Sequence, residues 1–337
     1  MNKKLLFPAA ILALVLAGAG CNKAGKLSEP SKTPLPTGPV ELKLKWPQGE
    51  RVVQNMDVKS KTETAIPGRP EPMQQNTTMG QKYALTVLKE NSDGGHEVEM
   101  EFLSARMGIE MGGKKLVNYD SAKPSAADAT NPVAGMFGKI VGSKLKFIMN
   151  SSNMVERIDG VDEMMNRLSA GMPAASLGTL KGMYSEGYFK QMMSSARFMP
   201  SKAVSPGDTW PVHLEMPMEP LGILVMDYNV SLQGWEKHGQ RNCARMEFTG
   251  TIKSMPGSAT QPAMMGMSMT MKDGNSTGTT WFDPELGIAI DTTMNQDMTM
   301  TITLPKNPKA KTGPASQPQT LTTRINQEVD IKLDSLN

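Results

Sequence analysis

Methionines with alternating spacing are the side chains of this sequence best suited to binding a metal ion. The chain has 30 methionines. Residues 265–271 read as a strand whose same-face positions are all methionine: Met265, Met267, Met269 and Met271. Same-face neighbours on a strand stand about 6.6 Å apart, and thioethers are soft ligands that suit Cu(I). No histidine lies near this group, so packing of a core by adaptable methionines is the alternative interpretation.

One segment matches the letters of a catalytic motif. Gly274-Asn-Ser276-Thr-Gly278 has the spacing of a nucleophile elbow, which requires a strand-to-helix turn and a later histidine. The three histidines, His96, His213 and His238, all precede it, and strand patterns flank it on both sides. We therefore predict a turn at this segment. Since no phosphate-binding or dinucleotide-binding glycine pattern is present either, we predict no catalytic residues, no cofactor and no enzymatic activity.

The third chemically informative residue is Cys21, at the end of an N-terminal leader. Lys3 and Lys4 precede an apolar stretch from Leu5 to Leu16, and small residues lead into the cysteine. This is the layout of a secretory signal. A cysteine directly after the small residues resembles the lipobox of bacterial lipoproteins, which implies cleavage before Cys21 and attachment of lipid to it. The alternative is an ordinary signal peptide, with cleavage after Ala19 and a free cysteine.

The lipobox resemblance implies a lipid-anchored protein of the cell envelope that faces the periplasm. Asn22 stands where an aspartate would resemble an inner-membrane retention signal, which favours the outer membrane. Outside the leader the chain has 34 basic and 33 acidic residues, so its charge gives no argument for binding nucleic acid. With Cys21 lipidated, Cys243 has no disulfide partner, and we predict that it is a buried, inert thiol.

Composition and periodicity divide the chain into segments. After the leader, a Pro-rich polar stretch predicts a disordered tether, and a change from strand to helix periodicity predicts a helical connector between two β units. A second Pro-rich stretch predicts an exposed loop at 305–319 within the second unit. The predicted segments are a signal peptide at 1–20, the tether at 21–40, a first β unit at 41–160, the connector at 161–200 and a second β unit at 201–337.

The two β units share features that indicate an internal duplication. Trp46-Pro47 and Trp210-Pro211 each precede a hairpin that begins at a tyrosine and returns through Met-Glu-Phe. The tyrosine-to-methionine spacing is 17 residues in the first unit (Tyr83 to Met100) and 18 in the second (Tyr228 to Met246). A further hairpin follows in each unit, at 145–158 and 281–290. We predict a mainly β fold (α+β) with two antiparallel, curved β units joined by a short helical section.

This pattern resembles an uncharacterised family of bacterial lipoproteins of unknown function. The resemblance rests on Trp-Pro-x-Gly-Glu at 46–50, on Gly207-Asp-Thr-Trp210 and on a strand that ends in Ile158-Asp-Gly160. It implies a secreted, β-rich protein built from two repeats, and it brings no catalytic residues.

The leading interpretation is a non-enzymatic binding module for an apolar ligand or a partner protein. Curved sheets can hold lipid-like molecules, and the helices between Gly160 and Arg197 could cover such a site with methionine side chains as its lining. Three alternatives remain open at this point. One is a periplasmic Cu(I)-binding protein that uses the four alternating methionines, the second is an enzyme whose site no known motif reveals, and the third is a structural scaffold whose sheets are filled solid.

Overall fold

Strands dominate the structure, a computed structural model that describes residues 29–126, 128, 131–170, 184–193, 195–218, 222–255, 268–304 and 319–337. The strands are β1 (Arg51–Ala65), β2 (Met73–Glu90), β3 (His96–Met111), β4 (Lys114–Asp120), β5 (Lys144–Met149), β6 (Val155–Asp159), β7 (Thr209–Met218), β8 (Gly222–His238), β9 (Arg241–Met255), β10 (Ser268–Asp283), β11 (Ile288–Leu304) and β12 (Gln319–Leu336). The helices are α1 (Pro132–Ile140), α2 (Val161–Ser169), α3 (Glu186–Met192) and a 3₁₀ turn (Ser195–Phe198).

All twelve strands form one antiparallel sheet in the order β6-β5-β3-β2-β1-β12-β11-β10-β9-β8-β7, with β4 paired beside β3. The predicted mainly β, antiparallel fold is therefore confirmed. The hairpins expected from the alternating segments are present as β2–β3, β5–β6, β8–β9 and β10–β11. The strands of the two predicted units belong to one sheet, because β12 pairs with β1 on one side and with β11 on the other.

The two halves of the sheet follow the same path. Read along the sheet, β6-β5-β3-β2-β1 is followed by β12 and then by β11-β10-β9-β8-β7. Since every neighbouring pair is antiparallel, corresponding strands of the two series also run in the same direction. This topology agrees with the internal duplication that the paired hairpins indicate, and it makes β12 the strand that joins the two copies.

Strand alternation gives the sheet one buried and one exposed face. Along β12, buried and exposed residues alternate from Leu321 to Val329, as the period of a strand requires. The long middle strands bury their Val, Ile, Leu and Met side chains on one side, which we call the inner face. Their lysines and carboxylates lie on the outer face, in exposed ion pairs such as Lys59–Glu328.

The described part of the predicted connector lies between the two edges of the sheet. Helix α3 contacts both β6 and β7, which are the two edge strands. The sheet must therefore curl until its edges stand on either side of one short helix. The predicted helix after Gly160 is confirmed by α2, and α1 and α2 pack against each other while α1 also covers β3 and β4. Residues 171–183 lie outside the described residues.

Part of the predicted disordered tether is fixed on the sheet. The backbone N–H of Lys32 donates to Glu285 Oε2 (3.0 Å), in the turn between β10 and β11. The N–H of Asn242 on β9 donates to Ser31 Oγ (2.8 Å). For residues 29–33 the prediction of a free, disordered tether therefore does not hold, because β9 and the turns of the second half bind this segment.

None of the helices in the described part of the chain has the length and apolar character needed to cross a membrane.

Candidate functional site

A row of buried polar side chains crosses the middle of the inner face from β2 to β8. Strand register pairs each member directly with the next, and Gly250 on β9 stands between the last two. We call this set the polar row: Thr77 (β2), Ser60 (β1), Gln327 (β12), Gln296 (β11), Ser276 (β10) and Tyr228 (β8). Polar groups at such depth normally have hydrogen-bond partners.

Several atoms of the polar row lack such partners. Gln327 Nε2 donates to Gln296 Oε1 (3.0 Å). In contrast, Ser60 Oγ, Ser276 Oγ and Gln296 Nε2 make no hydrogen bond within the described residues, and neither does Thr62 Oγ1, the next inward position on β1. An unpaired buried polar group costs about 1–3 kcal/mol. The middle of the inner face therefore has unused hydrogen-bonding capacity.

Tyr228 reaches the row because Gly250 has no side chain. A Cβ atom on Gly250 would lie 2.4 Å from Tyr228 Cδ1, so the tyrosine ring lies flat across the glycine. Its hydroxyl then stands beside Ser276 and Gln296, both of which lower its pKa, whereas burial, the larger effect, raises that pKa to about 12. The hydroxyl stays protonated at neutral pH and completes no hydrogen bond of ordinary geometry. It is available as a neutral donor.

Apolar side chains border the polar row on both sides. Toward the β8–β9 and β10–β11 turns, the adjacent inward positions are Val58, Val329, Met294, Gly278, Phe248 and Val230. On the opposite side they are Ile325, Met298, Gly274, Ile252 and Met226, beside Thr62. A Cβ on Gly278 would meet Phe248 Cζ at 2.2 Å, so this ring also lies across a glycine.

One aromatic side chain of the described part of the connector, Phe198, covers part of this surface. Phe198 packs on Tyr228 and Phe248, with ring centroids 5.5 and 6.2 Å apart. The indole N–H of Trp210 donates to the Phe198 carbonyl oxygen (2.9 Å), which fixes the end of the connector to β7. Part of the inner face of the second half is thus covered by a residue that does not belong to the sheet.

Helix α3 makes a similar contact with the first half. Burial and the nearby Tyr188 both raise the pKa of Tyr83 on β2, so its hydroxyl is neutral. That hydroxyl and both amide atoms of Gln54, its direct partner on β1, have no hydrogen-bond partner among the described residues. A second group of unpaired polar atoms therefore lies under the connector.

The prediction of a turn at Gly274–Gly278 is wrong. The segment is the middle of β10, and Ser276 faces inward as a member of the polar row. The glycines that suggested a turn instead make room for neighbouring side chains, since a Cβ on Gly274 would lie 2.9 Å from Ile252 Cβ. The glycine spacing suggested a turn and so concealed the inward-facing Ser276, which is the one local signal of the polar row.

Residues 93–289, more than half of the sequence, match a family described as a family of unknown function, DUF6263. The chain belongs to the DUF6263 family. This agrees with the resemblance to an uncharacterised family and assigns no activity. The matched region of this DUF6263 chain contains β8 to β10 and the whole connector, and it excludes β1 and β12. No curated protein matches the chain.

Solved structures with some similarity to the DUF6263 chain include lipovitellin, from a study of lipid–protein interactions, at 9% identity and a TM-score of 0.46. That match covers 87% of this chain and 26% of the lipovitellin chain, so the chain spans about a quarter of its length. DynF from the dynemicin biosynthesis pathway of Micromonospora chersina matches at 8% identity, 95% coverage of each chain and a TM-score of 0.20. TM-scores this low carry no functional argument.

The residues predicted from the sequence to bind lipid or metal are only partly described. Cys21, Met265 and Met267 lie outside the described residues. Met269 and Met271 lie on β10, where Met271 is buried and pairs directly with Met300 of β11. The described residues contain no group of three or more His, Cys, Asp or Glu side chains that could hold a metal ion.

Cys243 is a buried free cysteine on β9. Burial, the main effect, and the charge of Asp283 raise the pKa of its thiol to about 12. Because the thiolate is the reactive form, this residue is inert at neutral pH. The prediction that this thiol is buried is confirmed, and its raised pKa agrees with low reactivity.

The outer face has a groove of about 440 Å³ between β12, β1, β2 and β3. Charged side chains line it, but Arg106 is in an ion pair with Asp57, and Lys82 is in an ion pair with Asp334. The charges of these four side chains are therefore already paired with one another. The inner face, with its unpaired groups, is therefore the stronger candidate site.

Proposed function

We propose that this protein is a lipid-anchored, non-enzymatic protein of the bacterial cell envelope whose inner face binds an apolar ligand beneath the connector. The observation that carries the proposal is the polar row with unpaired atoms, set between methionine-containing apolar rows. Ligand sites in proteins are mostly apolar and have a few convergent polar groups. Methionine side chains can repack around a ligand because they are unbranched and flexible.

A permanently filled scaffold accounts less well for these residues. Ser60, Thr62, Ser276 and Gln296 each have a buried polar atom that finds no hydrogen-bond partner among the described residues. Apolar residues of similar size would fill the same space without the desolvation cost of about 1–3 kcal/mol for each group. A ligand that supplies hydrogen-bond partners removes this cost.

The connector is the part that would move to admit a ligand. Phe198 and α3 cover the inner face, but neither belongs to a strand ladder, so their displacement breaks no sheet hydrogen bond. A docking site for a partner protein has less support on the outer surface. The exposed large apolar residues within the described ranges are Leu35, Leu88 and Met255, which lie on separate elements.

Fluorescence of Nile red, an uncharged apolar dye, tests ligand binding. We expect saturable enhancement with the purified, delipidated protein. Phe198→Leu should bind the dye several-fold more tightly, because a smaller side chain covers Tyr228 and Phe248. Phe137→Leu is the control: Phe137 is equally buried, but it lies on α1. Absence of dye binding by both the native protein and folded Phe198→Leu would overturn the proposal.

The lipid anchor rests on Cys21 and the leader. Globomycin treatment of expressing cells should cause an unprocessed precursor to accumulate, and Cys21→Ser should abolish lipid labelling. Processing that is insensitive to globomycin contradicts the anchor and supports the ordinary signal peptide. If the anchor forms, the fixed segment at 29–33 holds the turns near Glu285 close to the membrane, and Asn22 favours the outer membrane.

Cu(I) binding is a second candidate function. Met271 and Met300 are directly opposed, and Met298 lies opposite Gly274 on the same face of the sheet. Titration with Cu(I) against a competing chelator tests it. Replacement of Met267 and Met269 by leucine should weaken binding if the four predicted methionines are ligands, and unchanged affinity rejects that set.

A further inference from the structure

We infer that the polar row recognises an uncharged hydrogen-bonding group, such as an ester or amide, located within the chain of a long apolar ligand. This inference rests on the proposed function, because it assigns the chemistry of the ligand that the inner face binds. Three properties of the row support it: the kind of unpaired atoms, the absence of charge and the position of the row between apolar surfaces.

The unpaired atoms are suited to a neutral acceptor. Gln296 Nε2 can only donate, and the hydroxyls of Ser276 and Tyr228 can donate or accept. In strand register, Ser276 lies beside Gln296, and the Tyr228 hydroxyl reaches both across Gly250. A single carbonyl oxygen with two lone pairs could accept from two of these donors at once.

Charge argues against an ionised ligand group. Among the described residues, the buried charged side chains are Arg241 and Asp283, which pair with each other beside the β8–β9 and β10–β11 turns. Within the described ranges, no buried cation therefore lies beside the polar row to balance a carboxylate or phosphate. Burying an unpaired ion in apolar surroundings costs far more than burying a neutral group.

The flanking rows indicate where the polar group lies within the ligand. Inward positions two residues apart on a strand are separated by about 6.6 Å. Phe248 and Met294 lie one such step from the row toward the turns, and Ile252 and Met298 lie one step away on the other side. A ligand group at the row thus has apolar surface in both directions. This fits a polar group between two apolar arms better than a group at the end of one chain.

Displacement of Nile red by three matched compounds tests the inference. Octyl decanoate has an internal ester, nonadecane has the same chain length without a polar group, and nonadecanoate carries a terminal charge. We expect octyl decanoate to displace the dye at a concentration at least ~10-fold lower than either of the others, because buried donors left unpaired disfavour an analogue that lacks the acceptor. The double variant Ser276→Ala with Gln296→Leu should lose this preference.

Ser254→Ala is the matched control. Its hydroxyl is already bonded within the sheet, to the N–H and carbonyl of Met271, so the preference for octyl decanoate should persist. Equal displacement by octyl decanoate and nonadecane overturns this inference but leaves apolar ligand binding intact. Strongest displacement by nonadecanoate also overturns it. Failure of Nile red to bind at all contradicts the proposed function itself.

Discussion

The end of the second half that carries the β8–β9 and β10–β11 turns, which we call the turn end, and the polar row both bury polar side chains. They differ in how those side chains are paired. At the turn end, Arg241 Nε donates to Asp283 Oδ2 at 2.5 Å and its Nη1 donates to the carbonyl of Glu29 at 3.1 Å. Its Nη2 makes no hydrogen bond within the described residues but lies 3.5 Å from Glu285 Oε1, so the buried charge is balanced by two carboxylates. In the polar row, Ser276 and Gln296 retain unpaired atoms at similar depth. Depth alone therefore does not explain the unpaired groups. The difference indicates that the turn end serves stability and that the row has capacity for a ligand.

The largest expected effect comes from breaking the paired region. Asp283→Asn leaves the Arg241 guanidinium buried without its carboxylate, so the free energy of unfolding should fall by about 3–5 kcal/mol. Urea denaturation measures it. Glu328→Gln, which removes the partner of exposed Lys59, is the control and should change stability little. If the two variants are equally stable, the buried pair is not a stability element.

An intermediate effect is expected where glycines shape the inner face. Gly278→Ala places a methyl group 2.2 Å from Phe248 Cζ and 2.4 Å from the Thr293 carbonyl oxygen. Since one of these neighbours is backbone, we expect a loss of about 1–3 kcal/mol in the same denaturation assay. Gly234→Ala is the matched control, because its added Cβ meets no atom within 4 Å. A neutral Gly278→Ala would show that the Phe248 ring can move aside.

Replacement of two serines, Ser254 and Ser276, tests the difference between paired and unpaired buried groups most directly. Ser254 Oγ accepts from Met271 N–H (2.8 Å) and donates to its carbonyl (3.2 Å), so Ser254→Ala should destabilise the protein by about 1 kcal/mol. Ser276 Oγ makes no hydrogen bond of ordinary geometry within the described residues, so Ser276→Ala should leave stability unchanged or raise it by about the same amount. Thermal unfolding of delipidated protein measures both. Clear destabilisation by Ser276→Ala would mean that its hydroxyl is paired in solution, for example by water.

The smallest effect is expected on the outer face. Hydrogen bonds to Asp227 and Glu215 raise the pKa of His213 above its ordinary value of 6.5. The stabilisation from these contacts is fully present below that value and is lost as the pH rises through the raised folded-state pKa. An NMR titration of the imidazole should show the shift, and Asp227→Asn should reduce it. An unshifted titration in the native protein contradicts the Asp227 contact.

Local signals in the sequence were sufficient for four hairpins of the sheet. Alternation from Tyr83 to Met100 and from Tyr228 to Met246 predicted β2–β3 and β8–β9, and the helical period after Gly160 predicted α2. The polar row could not be found in this way, because its members come from six strands distributed from residue 60 to residue 327. One local signal did exist: Ser276 alternates with two glycines between strand-like segments. It was interpreted as a turn because glycine favours turns. The other role of a glycine, to make room for a side chain of the neighbouring strand, can be recognised only when that strand is known.

The sequence by itself determined the mainly β fold, the paired hairpins of the two halves and the burial of Cys243, because these follow from periodicity and composition along the chain. It also carries the leader and Cys21, on which the proposed location rests. Only the tertiary structure decided that β12 joins both halves into one sheet, that residues 29–33 are fixed near Glu285 and that the connector covers the inner face. The alignment of Ser60, Gln296, Ser276 and Tyr228 was likewise decided only by the tertiary structure. Strand register sets these contacts between residues far apart in sequence, and no local pattern encodes it.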